Sequence, residues 1–130
     1  MRTRKPTVAI VDDDPRLLGS LGNLLESAGY VVRKYSSASS LIKGGLSETD
    51  ALITDIGMPE MDGFELRDVV QKMRPALPVF LITGRHEIAE QDRAQGIHGF
   101  FRKPFDAQVL LATVADALGD REMEEGEHES

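Results

Sequence analysis

The chain has 130 residues, of which 41% are hydrophobic and 28% charged, enough for one globular domain with a real core. It has no cysteine, which excludes disulfides, thiolate metal sites and a cysteine nucleophile, and no apolar run approaches the ~18 residues of a membrane-spanning helix. The net charge of -7 is concentrated at one end: residues 119–130 carry -5 and the other 118 only -2, with no basic stripe or base-stacking aromatics, which argues against direct nucleic-acid binding by this chain.

Residues 1–6 form a basic tail. It leads into a short apolar run ending in three acids, so it is not a signal peptide. Thr7–Val11 is the first predicted strand, ending at Asp12. Asp14 caps a helix with Pro15 at its first position, and Leu17, Leu21, Leu24, Leu25 and Ala28 make its apolar stripe. Gly29 closes that helix as a left-handed cap. The β-branched and aromatic run Tyr30–Tyr35 is a second strand. A serine cluster, Ser36 to Ser40, caps a short helix weakened by Gly44 and Gly45, with Ala38, Leu41, Ile42 and Leu46 as its apolar face.

Asp50–Asp55 is the third strand, and Met61-Asp62-Gly63 opens a third helix with Leu66, Val69, Val70 and Met73 on one face. Pro75 and Pro78 bracket its exit. Val79–Thr83 is continuously apolar and therefore a buried strand. Glu87–Gln95 reads as a fourth, weakly anchored helix, and Phe100-Phe101 as the centre of a brief fifth strand ended by Lys103-Pro104. A fifth helix carries Phe105, Val109, Leu110, Ala112, Val114 and Leu118, and Gly119 stops it. Residues 119–130 form an acidic tail without apolar periodicity, expected to be disordered.

Five β–α alternations over residues 7–118 imply a doubly wound parallel sheet, because parallel strands need crossover connections. In such a sheet chemistry gathers outside the carboxyl ends of the strands. Those ends leave Asp12-Asp13, Asp55, Thr83-Gly84 and Lys103-Pro104 on one edge. Three close carboxylates repel and raise one another's pKa unless positive charge relieves them. Lys103 supplies one such charge, and Mg²⁺ suits an oxygen-rich site. A carboxylate beside an ammonium and a divalent cation is set up to attack a phosphoryl group. Each residue also has an ordinary reading: Asp14 as a helix cap, Lys103 in a turn, Thr83 closing a strand. Their joint appearance at successive strand ends favours the chemical one. His86, His98 and His128 lack metal-ligand spacing.

The segments Val11-Asp12-Asp13-Asp14-Pro15, Thr54-Asp55-Ile56-Gly57-Met58-Pro59-Glu60-Met61-Asp62-Gly63, Leu81-Ile82-Thr83-Gly84 and Phe101-Arg102-Lys103-Pro104-Phe105 resemble the receiver domain of bacterial two-component response regulators, with wording nearest the FixJ-type subgroup. The resemblance implies a flavodoxin-like fold with strand order 2-1-3-4-5. It implies Asp55 as phosphoacceptor, Asp12, Asp13, Asp55 and the backbone carbonyl of Gly57 at Mg²⁺, Thr83 and Lys103 on the phosphoryl group, and Phe100 as an aromatic that follows Thr83. It further implies a sensor histidine kinase or phosphotransfer protein as donor, and a cytoplasmic location. The output surface is expected on the fourth helix, fifth strand and fifth helix, binding a downstream protein or a second copy. Gly57 and Arg85 are expected to modulate dephosphorylation, Arg85 by slowing water attack, and Lys103-Pro104 is a candidate cis bond.

The chain is thus expected to be a switch and not a turnover enzyme. Phosphatases of the haloacid-dehalogenase type place a second Asp two residues after their nucleophile, where this sequence has Gly57. A stand-alone regulator is expected, the alternative being the receiver fragment of a longer DNA-binding transcriptional regulator.

Overall fold

The computed structural model describes residues 5–83, 99–103 and 105–127, with 120–127 described by backbone alone. Its elements are β1 (Thr7–Val11), α1 (Pro15–Ser27), β2 (Val31–Tyr35), α2 (Ala38–Gly44), β3 (Ala51–Asp55), α3 (Gly63–Met73), β4 (Val79–Thr83), β5 (Gly99–Arg102) and a C-terminal helix (Ala107–Glu127). The strands form one parallel sheet in the order β2-β1-β3-β4-β5, as a flavodoxin-like fold requires. The expected helix Glu87–Gln95 lies outside the described residues, as do Gly84, Arg85, His86, His98, Pro104 and His128.

Strand alternation divides the core into two layers. Ala9, Val11, Leu52, Val79 and Leu81 face Leu41 of α2 and Phe64, Leu66 and Val70 of α3. Val8, Ile10, Ala51, Ile53, Phe80 and Ile82 face Leu21 and Leu25 of α1 and Leu110, Val114 and Leu118 of the C-terminal helix. β1, β3 and β4 are buried along their whole length, which explains their mostly apolar sequence. β2 lies at the sheet edge and is largely exposed, including Arg33 and Lys34.

Local signals set the boundaries. The Asp14 carboxylate accepts from Arg16 N–H at 2.9 Å with Pro15 behind it, and Gly29 adopts φ +100° after α1. Ser37 caps α2. Asp62 and Glu65 form a reciprocal capping box on α3, at 2.8 and 2.9 Å. Asp106 accepts from Gln108 and Val109 N–H at the start of the C-terminal helix. β3 starts one residue later than expected; Asp50 just before it bonds Thr7 twice, its N–H on Thr7 O and its carboxylate accepting the Thr7 N–H, both at 2.7 Å.

Other expectations are corrected. On α1 the stripe turns toward Leu18, which packs against the core, and Ala28 is exposed. On α3, Met73 is 49% exposed, and Phe64 and Arg67 are buried in its place. Gly119 does not stop the C-terminal helix, whose backbone continues through the acidic segment to Glu127. A glycine inside a helix costs only about 1 kcal/mol, and the following Arg, Met and Glu residues favour helix.

Candidate functional site

The sheet register brings the strand ends together. Val11 pairs with Thr54, so Asp12 and Asp55 are the next residues on β1 and β3. Asp55 in turn pairs with Ile82, one residue before Thr83, and Thr83 pairs with Arg102, one before Lys103. Main-chain bonds extend the ladder past each strand: Asp12 N–H to Tyr35 O at 3.1 Å, Ile56 N–H to Ile82 O at 2.9 Å, and Lys103 N–H to Thr83 O at 2.8 Å. The ends of all five strands are therefore tied to a neighbour by backbone.

At this edge Lys103 Nζ lies 3.3 Å from Asp55 Oδ1 and 3.5 Å from Asp12 Oδ2. Asp12 and Asp55 are buried, whereas Asp13 is exposed. One carboxylate oxygen from each of the three lies within 4.8 Å of the others. Asp12 Oδ1 accepts the Asp14 N–H at 2.8 Å, but among the described residues no hydrogen-bond donor reaches the buried Oδ2. Lys103 gives that atom charge at a distance too long for a good hydrogen bond.

The electrostatics follow from this packing. Burial pushes the Asp12 carboxyl up from 3.8 to about 6; the Asp14 N–H and Lys103 oppose the shift, and Asp55 and Asp13 reinforce it. Burial also raises Asp55, against the pull of Lys103. For Lys103 burial acts to lower the pKa, but the carboxylates of Asp55 and Asp12 outweigh it and hold the ammonium above its ordinary value. A charge-rich site with one orphaned buried oxygen and three converging carboxylates fits a hard divalent cation.

Thr83 is buried at the end of β4 and Gly57 is exposed in the loop after β3. Phe100 is 37% exposed on β5, with its ring 6.1 Å from that of Phe64. Arg85 lies outside the described residues. The sequence carries no signal for the main-chain contacts behind Asp55. The Ile56 carbonyl accepts both Met58 N–H at 3.0 Å and Gly63 N–H at 2.9 Å, and Glu60 turns the loop at φ +72°. The Asp-Gly pair before α3 signalled a helix start, not this contact.

Residues 8–115 match the family model of the response regulator receiver domain. The chain is 39% identical over 120 residues to the transcriptional regulatory protein GlrR of Escherichia coli (strain K12), covering 89% of this chain and 27% of that protein. It is 32% identical over 125 residues to the transcriptional regulatory protein FixJ of Azorhizobium caulinodans, covering 94% and 59%. Among solved structures, a CheY-like response regulator receiver domain protein from Methanospirillum hungatei JF-1 matches with TM-score 0.86 and 27% identity over 93% of this chain and 99% of that one. The chain thus spans less than two thirds of the length of these curated relatives.

Proposed function

Because the chain belongs to the response regulator receiver family, we propose that it receives a phosphoryl group on Asp55 and relays that event through a protein-binding surface. The observation that carries this reading is the Asp55 carboxylate on the sheet edge, 3.3 Å from Lys103 and clustered with Asp12 and Asp13.

In the proposed transfer, an Asp55 oxygen attacks the phosphorus of a phosphohistidine on a sensor kinase or phosphotransfer protein. The bond between phosphorus and the imidazole nitrogen breaks, and its electron pair leaves with the nitrogen. Lys103 balances charge on the transferring oxygens, and the Thr83 hydroxyl donates to one of them. Asp12, Asp13, Asp55 and the Gly57 carbonyl would hold Mg²⁺. When bound, the ion neutralises the carboxylates and the phosphoryl oxygens. Gly57 offers no acid or base two residues after Asp55. The acyl phosphate therefore persists, and the domain is a switch with slow self-dephosphorylation and not a turnover enzyme. Arg85, two residues beyond Thr83, is assigned to slowing water attack.

The test is intact-mass measurement after incubation with acetyl phosphate and Mg²⁺. The wild type gains one phosphoryl group and Asp55→Asn gains none. A gain that survives in Asp55→Asn, or no gain in the wild type, rejects the assignment.

The output surface is assigned to the segment before β5, β5 itself and the C-terminal helix, where Phe100 and Val109 stand 37% and 54% exposed. Its partner is a downstream protein or a second copy of the chain, and light scattering with and without beryllofluoride separates the two. GlrR and FixJ are both transcriptional regulatory proteins longer than this chain. That favours a second reading, in which this is the receiver of a longer DNA-binding regulator and not a regulator acting alone. The mass of the native protein in its source cells distinguishes them. Among the described residues no helix is long and apolar enough to cross a membrane.

A further inference from the structure

Gly63 is the first residue of α3, and it sits where a side chain has no room. A Cβ there would lie 2.6 Å from the carbonyl oxygen of Asp55, 2.9 Å from Cα of Ile56 and 3.2 Å from the carbonyl carbon of Asp55. All three are main-chain atoms. The contrast is Gly22, where the nearest atoms a Cβ would meet are the far end of the long Lys34 side chain. Backbone freedom is not what Gly63 supplies, because among the described residues the positive-φ glycines are Gly29 and Gly45. Close approach is the requirement.

Neither side of the contact can retreat cheaply. The Asp55–Ile56 peptide is held from β4 by the Ile56 N–H on Ile82 O at 2.9 Å and by the Thr54 hydroxyl on Asp55 O at 3.1 Å, and the next peptide, Ile56–Gly57, is held from α3 by the Gly63 N–H on Ile56 O at 2.9 Å. The start of α3 is fixed by its capping box and by Phe64 and Leu66, which are 1% and 0% exposed. Close-packed interiors pass such a clash on as displacement of their neighbours. The neighbours here are Asp55 and the turn containing Gly57.

We infer that Gly63 is a positioning residue for phosphoryl transfer: its missing side chain sets how closely α3 seats against the main chain of Asp55, and so fixes the aim of the Asp55 carboxylate and the setting of Gly57. The inference rests on the phosphoacceptor reading of Asp55.

The experiment compares Gly63→Ala with Gly29→Ala. Alanine at Gly29 strains a backbone at φ +100° but meets nothing within 4 Å, so it perturbs stability away from the site. Both are assayed as folded protein, checked by circular dichroism. The readout is the initial rate of phosphoryl uptake from acetyl phosphate at saturating Mg²⁺. Gly63→Ala is expected to slow uptake roughly ten- to a hundredfold, the scale of sub-ångström to 1 Å misplacement of a reacting group. Gly29→Ala is expected to react at the wild-type rate. A purely structural role would lower stability in both variants and change the rate in neither. Wild-type uptake by Gly63→Ala, or equal slowing of both variants, overturns the inference and leaves the phosphoacceptor reading standing. An unreactive wild type removes both. Hydrogen exchange on the wild type covers the case in which Gly63→Ala does not fold. The Gly63 amide should then be as protected as that of Ile56 before any Mg²⁺ is added, and exchange at an exposed-loop rate overturns the inference.

Discussion

Replacing Asp12 with Asn should stabilise the metal-free protein at neutral and alkaline pH, although it removes a charge that Lys103 approaches at 3.5 Å. In the fold Asp12 titrates at about 6, against 3.8 in an exposed carboxyl. At about 1.4 kcal/mol per pKa unit, ionised Asp12 therefore costs the folded state up to about 3 kcal/mol. The sign follows from a folded pKa above the unfolded one: the favourable state is complete below the unfolded value, and stability is lost as pH rises through the folded value. Asn keeps the acceptor for the Asp14 N–H and leaves Lys103 its contact with Asp55 at 3.3 Å. Part of the gain is lost with the Lys103 attraction, so a net stabilisation of about 1–2 kcal/mol is expected at pH 8. Urea unfolding followed by circular dichroism in EDTA measures it. Near pH 4.5 about a third of the difference should remain. With Mg²⁺ at ten times its dissociation constant, the wild type should gain about 1.4 kcal/mol and Asp12→Asn much less. An Asp12→Asn protein no more stable than wild type at pH 8 in EDTA would refute the claim that burial of this charge dominates.

Lys103→Ala leaves the buried carboxylates of Asp12 and Asp55 without a cation. It should slow phosphoryl uptake by at least about tenfold, and it should destabilise more at pH 8 than at pH 5, because those carboxylates ionise as pH rises; acetyl phosphate kinetics and urea titrations at the two pH values check this. Asp62→Ala removes the capping box and should cost about 1 kcal/mol in urea unfolding, with the wild-type dependence of stability on pH between 6 and 8 retained. Arg85→Ala should shorten the lifetime of the phosphorylated form, measured as loss of phosphoryl mass after the donor is removed; an unchanged or longer lifetime rejects the role given to Arg85.

The sheet and the charged edge were legible because each rests on residue types that local rules read directly. Val79–Thr83 has no polar interruption, and its strand is buried from end to end. Asp12, Asp55 and Lys103 end or follow strands, and parallel register does the rest. Features that depend on distant packing were harder to read. Helical spacing alone placed Met73 inside and overlooked Phe64, yet Phe64 fills the space beside Phe100 and carries the Arg67 guanidinium 6.0 Å from its ring. Arg67 itself reads as a surface residue but is 6% exposed. Gly63 and Gly119 look alike as helix punctuation; one is needed for lack of space and the other lies within a continuing helix. Glycine has no side chain to reveal which of these applies.

The β2 edge has a further consequence. Among the described residues its outer main chain has no neighbouring strand, and a row of open amides and carbonyls is a template for another chain. Arg33 and Lys34 stand exposed along it, and Arg33 is tied to Glu48 at 3.3 Å across the connection before β3. Two such edges brought together would confront cation with cation, so sheet-to-sheet growth is disfavoured there. The charges on this edge strand thus oppose self-templated aggregation, and replacing Arg33 and Lys34 with threonine and valine should remove that protection.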